Sequence, residues 1–100
     1  MNEPVITVHL EITGRVQGVG FRESMRAVAQ ALEVNGQVRN RDDGSVEAIV
    51  QGAGQDVERM IAWCHNGPPG AYVRFVKADL VENSEVFIAF TRWPNLRPQA

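Results

Sequence analysis

Apolar and polar residues alternate from Val5 to Thr13, with Ile6, Val8, Leu10 and Ile12 on one side and Thr7, His9, Glu11 and Thr13 on the other. That period of two predicts a strand with one buried face. The alternation stops at Gly14-Arg-Val-Gln-Gly-Val-Gly-Phe-Arg22, a stretch too rich in glycine for a regular element. Beyond it Phe21, Met25, Val28, Ala29 and Leu32 recur at helical spacing, and Asn35-Gly36 is expected to end that helix in left-handed conformation. Gln37 to Asn40 reads as a short strand, Arg41-Asp42-Asp43-Gly44 as a hairpin turn, and Ser45 to Gln51 as the returning strand, with Val46, Ala48 and Val50 on one face. After a turn at Gly52 to Gly54, Val57, Met60, Ile61 and Cys64 mark a second amphipathic helix, which Asn66-Gly-Pro-Pro-Gly70 stops. Tyr72 to Leu80 and Val86 to Thr91 are expected as the last strands, joined by a polar turn at Glu82-Asn83-Ser84, and Trp93 to Ala100 as a frayed tail.

The predicted order is βαββαβ with one more strand at the end. Strands and helices that are apolar on one side pack as a two-layer α+β sandwich. For this order the natural packing is the split βαβ, ferredoxin-like arrangement: an antiparallel sheet with two helices on one face. One hundred residues suit a single domain, expected over residues 5–92 with short tails at 1–4 and 93–100. That fold hosts many functions, so function has to come from a site.

Charge narrows the search. The whole chain carries −2, which does not favour nucleic acid as a partner. Between Arg15 and Arg41, however, five arginines stand against Glu23 and Glu33, a balance of +3 that leaves −5 elsewhere. An anion would find one welcoming region on an otherwise acidic molecule. The single cysteine, Cys64, excludes an intramolecular disulfide and a multi-cysteine zinc site. No apolar run reaches the roughly 18 residues of a membrane span. MNEPVITVHL lacks the basic start and apolar core of a signal peptide, so a cytoplasmic protein is expected.

Glycine-rich turns ahead of helices bind phosphate well, because their amides point outward and the helix dipole adds positive potential. The stretch after Gly14 lacks the Gly-Lys-Ser/Thr of a P-loop. It also lacks the third glycine of a dinucleotide fingerprint, since Glu23 stands in that place. What remains is an anion cradle without a nucleotide-binding signature, or a tight connection whose glycines simply turn the chain. Arg22, on the first helical turn, would add a planar fork for two phosphate oxygens.

Gly14 to Arg22 closely resembles the signature of the small acylphosphatases. Gly36-Gln-Val-Arg-Asn-Arg-Asp-Asp-Gly-Ser-Val-Glu47 resembles that family's other signature, and Gly67-Pro-Pro-Gly-Ala-Tyr-Val73 its third recurring stretch. The likeness runs in order from Val5 to Phe90. It implies hydrolysis of acyl phosphates to carboxylate and inorganic phosphate, with no cofactor or metal, by a monomer acting on small molecules and not on nucleic acid or membrane. It also implies a phosphate-binding loop of backbone amides over Arg15, Val16, Gln17, Gly18, Val19, Gly20 and Phe21. By the same resemblance Arg22 is the phosphate-binding arginine and Asn40 the residue that positions the water. An acyl phosphate has a good leaving group, so positioning and charge stabilisation suffice and no acid–base pair is required. Two departures bear on substrate preference and stability: Gln37 stands where the family usually has an aromatic, and Glu23-Ser24-Met25 replaces its usual run after the arginine.

An alternative on the same fold is an acylphosphatase-like module that binds an anion without turnover, as in larger carbamoyl-handling proteins. Retention of both Arg22 and Asn40 favours the enzyme. An RNA-binding sheet is excluded by charge and by the lack of paired sheet aromatics. His9 is expected to meet solvent or a cross-strand partner, Cys64 to pack in its helix's apolar face, and Arg39 and Arg41 to be solvated.

Overall fold

Alternation and helical spacing both translate into structure. The computed structural model describes residues 4–82 and 84–94. Its elements are β1 (Val5–Arg15), α1 (Phe21–Leu32), β2 (Asn35–Asn40), β3 (Val46–Ala53), α2 (Gly54–Cys64), β4 (Tyr72–Leu80) and β5 (Phe90–Arg92). The strands form one sheet in the order β4-β1-β3-β2-β5. Helix α1 packs on β2 and β5, α2 on β1 and β3, and the helices on each other. This is the expected ferredoxin-like sandwich.

The core lies between helices and sheet. Val8, Leu10 and Ile12 of β1, Val38 of β2, and Val46, Ala48 and Val50 of β3 meet Phe21, Met25 and Ala29 of α1 and Val57, Met60 and Cys64 of α2. Burial of each larger side chain contributes about 1.5–3 kcal/mol. Burial also pushes the Cys64 thiol up to about 12, so it stays protonated and packs as an apolar group.

The sheet differs from the expected one at its last strand. β1 pairs antiparallel with β3 and β4, and β2 antiparallel with β3, but β5 runs parallel to β2. The sheet is therefore mixed, because β4 and β5 occupy opposite edges and the chain between them must cross the sheet. Val81 N–H donates to Thr7 O, the Gln51 side chain donates to Glu85 O and accepts from Phe87 N–H, and Asn35 Nδ2 donates to Phe87 O. Gly36 N–H then bonds Ala89 O, and the strand begins. The crossing uses most of the segment expected as strand from Val86 to Thr91, which shrinks to Phe90–Arg92. Of the expected turn, Asn83 lies outside the described residues, as do residues 1–3 and 95–100 of the expected tails. Trp93 is not frayed, since its N–H donates to Val38 O at 2.8 Å.

Two further expectations are corrected. The left-handed residue that ends α1 is Glu33 (φ 59°), whose N–H bonds Ala29 O and Gln30 O, while Asn35 and Gly36 already belong to β2. Nor are Arg39 and Arg41 solvated. On the sheet face away from the helices Arg39 Nε lies 2.7 Å from Glu47 Oε1, and Arg41 Nη1 3.2 Å from Glu11 Oε1. His9 Nε2 takes the other Glu47 oxygen at 2.6 Å, the cross-strand partner that was one of its two expectations.

Candidate active site

The three glycines of the first motif do different work. Gly14 (φ 127°) sits where the β1–β4 register shifts, and a Cβ there would collide with the Tyr72 carbonyl. It serves the close approach of two strands. Gly18 and Gly20 (φ 77° each) turn the backbone through left-handed conformation in open space, with Gly20 as the N-cap of α1. No side chain caps that helix start. Among the described residues, none of the amides from Gln17 to Gly20 donates to a backbone carbonyl. These amides and the positive end of α1 are therefore available to an anion.

The loop is braced from behind. Val16 and Phe21 are buried, and the Phe21 ring meets Trp63 edge-on at 5.3 Å. A Cβ on Gly67 would lie 2.7 Å from that ring, so the Gly67–Gly70 turn presses on Phe21 as a close-fitting support. From the other side Gln17 Nε2 donates to Arg41 O at 2.8 Å and Ser45 O at 2.9 Å. Those bonds clamp the loop to the β2–β3 turn, whose own geometry is held by Asp43 accepting from Ser45 N–H and Oγ–H.

A hollow of about 110 Å³ opens between loop, helix and sheet. Val16, Gln17, Gly18, Gly20 and Phe21 form one wall, with Arg22 and Glu23 from the first turn of α1. Asn40 enters from the end of β2, and Arg92 from β5. Asn40 is there because a strand's period of two puts it on the side of buried Gly36 and Val38, facing the helices. Arg22 is half-buried, and its pKa is lowered, first by burial and then by the nearby charge of Arg92, with Glu23 opposing. No ion pair joins Arg22 or Arg92 to a carboxylate among the described residues. The hollow suits a phosphate group held by amides and guanidinium.

Of the residues singled out from sequence, Val16, Gln17, Gly18, Gly20, Phe21, Arg22 and Asn40 border this hollow. Arg15 and Val19 do not: Arg15 is the exposed last residue of β1, and Val19 packs against the core beside Gly70. Arg92, Glu23 and the clamping side chain of Gln17 were not anticipated as parts of the site. Glu23 was recognisable as the neighbour of Arg22. Nothing near Arg92 in sequence points to the hollow. Among the described residues no group of three or more His, Cys, Asp or Glu side chains could hold a metal ion. No helix among them is long and apolar enough to cross a membrane.

Fold and hollow together define a class: a ferredoxin-like sandwich with a hollow lined by glycines, arginines and an asparagine at its first strand–helix junction. Comparison with known proteins narrows that class. The sequence profile of the acylphosphatase family matches residues 8–91. An acylphosphatase of Thiobacillus denitrificans is 52% identical over 86 residues, covering 86% of this chain and 94% of the relative. The crystal structure of acylphosphatase from Bacillus subtilis superposes with a TM-score of 0.86 at 29% identity, covering 89% of this chain and 99% of that one. Full-length HypF, in its phosphate- and nucleotide-bound form, matches with a TM-score of 0.83 at 27% identity, over 92% of this chain and 12% of HypF. The chain belongs to the acylphosphatase family and is an enzyme of that type.

Proposed function

We propose that this protein hydrolyses small acyl phosphates with the amides of the loop and Arg22 holding the phosphoryl group and Asn40 positioning the attacking water. One observation carries the reading: a single phosphate-sized hollow is bordered by Gly18, Gly20, Arg22 and Asn40 at once. The water oxygen bonds to phosphorus in line with the bond to the acyl oxygen. That P–O bond breaks, and its electron pair leaves with the carboxylate. A phosphate oxygen takes the water's proton, so the products are carboxylate and inorganic phosphate.

Each group has a physical task. The phosphoryl group gathers negative charge on its equatorial oxygens as the bond breaks, and preorganised donors stabilise it there. Arg22 offers two parallel N–H groups to two oxygens. Asn40 both donates and accepts, which orients a water without deprotonating it. The acting unit in this reading is a monomer. No metal takes part, and the free, buried Cys64 is compatible with a reducing cytoplasm.

The test is hydrolysis of benzoyl phosphate by the purified protein. Turnover unaffected by EDTA and competitively inhibited by inorganic phosphate is expected. A folded protein that binds phosphate without turnover would instead be a non-catalytic anion-binding module. Activity lost to EDTA and restored by a divalent ion would overturn the metal-free mechanism.

A further inference from the structure

We propose that Arg92 is a second phosphate-holding residue, facing the anion across the hollow from Arg22 and supplying the positive charge that Glu23 would otherwise cancel. The proposal rests on the reading of the hollow as the substrate phosphate's site. Its first support is position. The parallel pairing sets Phe90, Thr91 and Arg92 level with Gly36, Gln37 and Val38. Val38 is buried toward the helices, so its lateral neighbour Arg92 lies on that side too, and it borders the hollow. An antiparallel last strand would have run its end away from Asn40. The same parallel register that alters the sheet delivers this side chain to the site.

The second support is charge. Glu23 also borders the hollow, and its carboxylate is only 3.5 Å from Arg26, an exposed pair with little mutual neutralisation. With Arg22 alone, the lining would carry no net charge. Arg92 brings it to a net positive, the balance that a phosphate dianion requires. The third support is the lack of any carboxylate within ion-pair distance of either arginine among the described residues. Two guanidinium groups bordering one hollow repel, in keeping with the lowered pKa of Arg22. An anion between them converts that repulsion into two attractions. Arg92 is more exposed than Arg22 and stands at the mouth, where the hollow meets a larger groove between α1 and β5. Its contribution is to affinity more than to the chemical step.

The experiment compares wild type, Arg92→Gln and Arg92→Lys. Phosphate dissociation constants are measured by calorimetry at two ionic strengths, with KM and kcat on benzoyl phosphate and circular dichroism for the fold. Arg92→Gln should weaken phosphate and raise KM roughly tenfold, the scale of one charge-assisted hydrogen bond, with a smaller change in kcat. It should also flatten the salt dependence, and Arg92→Lys should recover part of both. A folded Arg92→Gln with phosphate affinity and KM near wild type overturns the proposal. On the unaltered protein, the Nε–H resonances of Arg22 and Arg92 should both move when inorganic phosphate is added. Movement of Arg22 alone overturns it as well, even where the variant does not fold. If wild type binds phosphate but does not turn over benzoyl phosphate, the hydrolase reading fails while these binding measurements still decide the role of Arg92.

Discussion

At the end of the sheet where β2 stops, four arginines gather, and the two faces use them in opposite ways. On the helix-covered face Arg22 and Arg92 border the hollow and meet no carboxylate partner among the described residues. On the open face Arg39 and Arg41, one residue either side of Asn40, are engaged by Glu47 and Glu11. A guanidinium locked to a carboxylate has its charge neutralised where it stands and contributes to folding. One held partly out of water without a partner costs stability until an anion arrives, which is what a binding site requires. The period of two in β2 sorts the residues: Val38 and Asn40 face the helices, where Asn40 borders the hollow, and Arg39 faces the structural network that Arg41 joins from just beyond the strand. The two faces should therefore fail differently when broken.

The largest effect is expected at Arg22. Arg22→Ala should cost roughly 10² to 10³-fold in turnover, the scale of losing a preorganised transition-state donor. Arg22→Lys should rescue poorly, because a point charge lacks the two-pronged grip. The melting temperature should be unchanged or slightly higher, since the residue removed is a half-buried cation with no ion pair among the described residues. A variant that retained turnover but lost stability would place Arg22 with the structural arginines. Next is Asn40→Ala. A nucleophile misplaced by about 1 Å can cost on the order of 10²-fold, so turnover should fall steeply while the inhibition constant of phosphate changes little. Equal losses in both would mean that Asn40 shapes the cradle and does not hold the water.

How much of this was legible in the sequence follows the same division. The strand at Val5–Thr13 and the helix from Phe21 were readable because periodicity is local, and the loop with Arg22 because its residues are contiguous. Asn40 was readable only through the resemblance of its segment. Arg92 was not, since its place depends on a crossing from one sheet edge to the other and on a parallel register. Arg39 and Arg41 were misread for a related reason: alternation tells which face a residue takes, but not that Glu47 lies on the neighbouring strand and Glu11 on the strand beyond it. The end of α1 was misplaced because β2 begins at once, with Asn35 opposite Gln51, leaving Glu33 to adopt the left-handed turn. Gln17 was expected to act through its amide, and its side-chain clamp on Arg41 and Ser45 needs the hairpin already in place.

On the open face the corresponding break is Glu47→Gln. Glu47 is 8% exposed and accepts from both His9 and Arg39. Burial alone would raise its pKa, but the hydrogen bonds from His9 and Arg39 and the charges of Arg39 and Arg41 outweigh that and leave it lowered. The stabilisation tied to this shift is therefore full above the unfolded value near 4.5 and is lost as pH falls through the lower folded value. Glu47→Gln should cost about 2–3 kcal/mol at neutral pH, the scale of charge-assisted bonds lost from a buried carboxylate. The difference from wild type should shrink as the solution is acidified below that value. Urea denaturation at several pH values measures it, and turnover per folded molecule should stay near wild type. A constant gap at all pH would mean that packing, not ionisation, makes Glu47 important.

The smallest effect is expected where the two faces come closest in sequence, at Trp93. Its ring lies 3.8 Å from the Arg39 guanidinium on the open face, while its neighbour Arg92 borders the hollow. The backbone bond from Trp93 N–H to Val38 O survives substitution, so Trp93→Ala removes the ring alone. A cation over an aromatic face near solvent contributes about 0.5–1 kcal/mol. In a domain of this size that is a fall of roughly 4–8 °C in melting temperature per kcal/mol. Trp93→Phe should recover part of it. Glu47 should still hold Arg39 through the Nε bond at 2.7 Å, so the network loosens without collapsing. Turnover and phosphate affinity should remain near wild type, because the ring lies on the other side of the strand from the hollow. A large loss of phosphate affinity in a folded Trp93→Ala protein would show that stacking on Arg39 sets the position of Arg92. In that case the two faces would be one coupled unit, and their separation by the period of the strand would not hold.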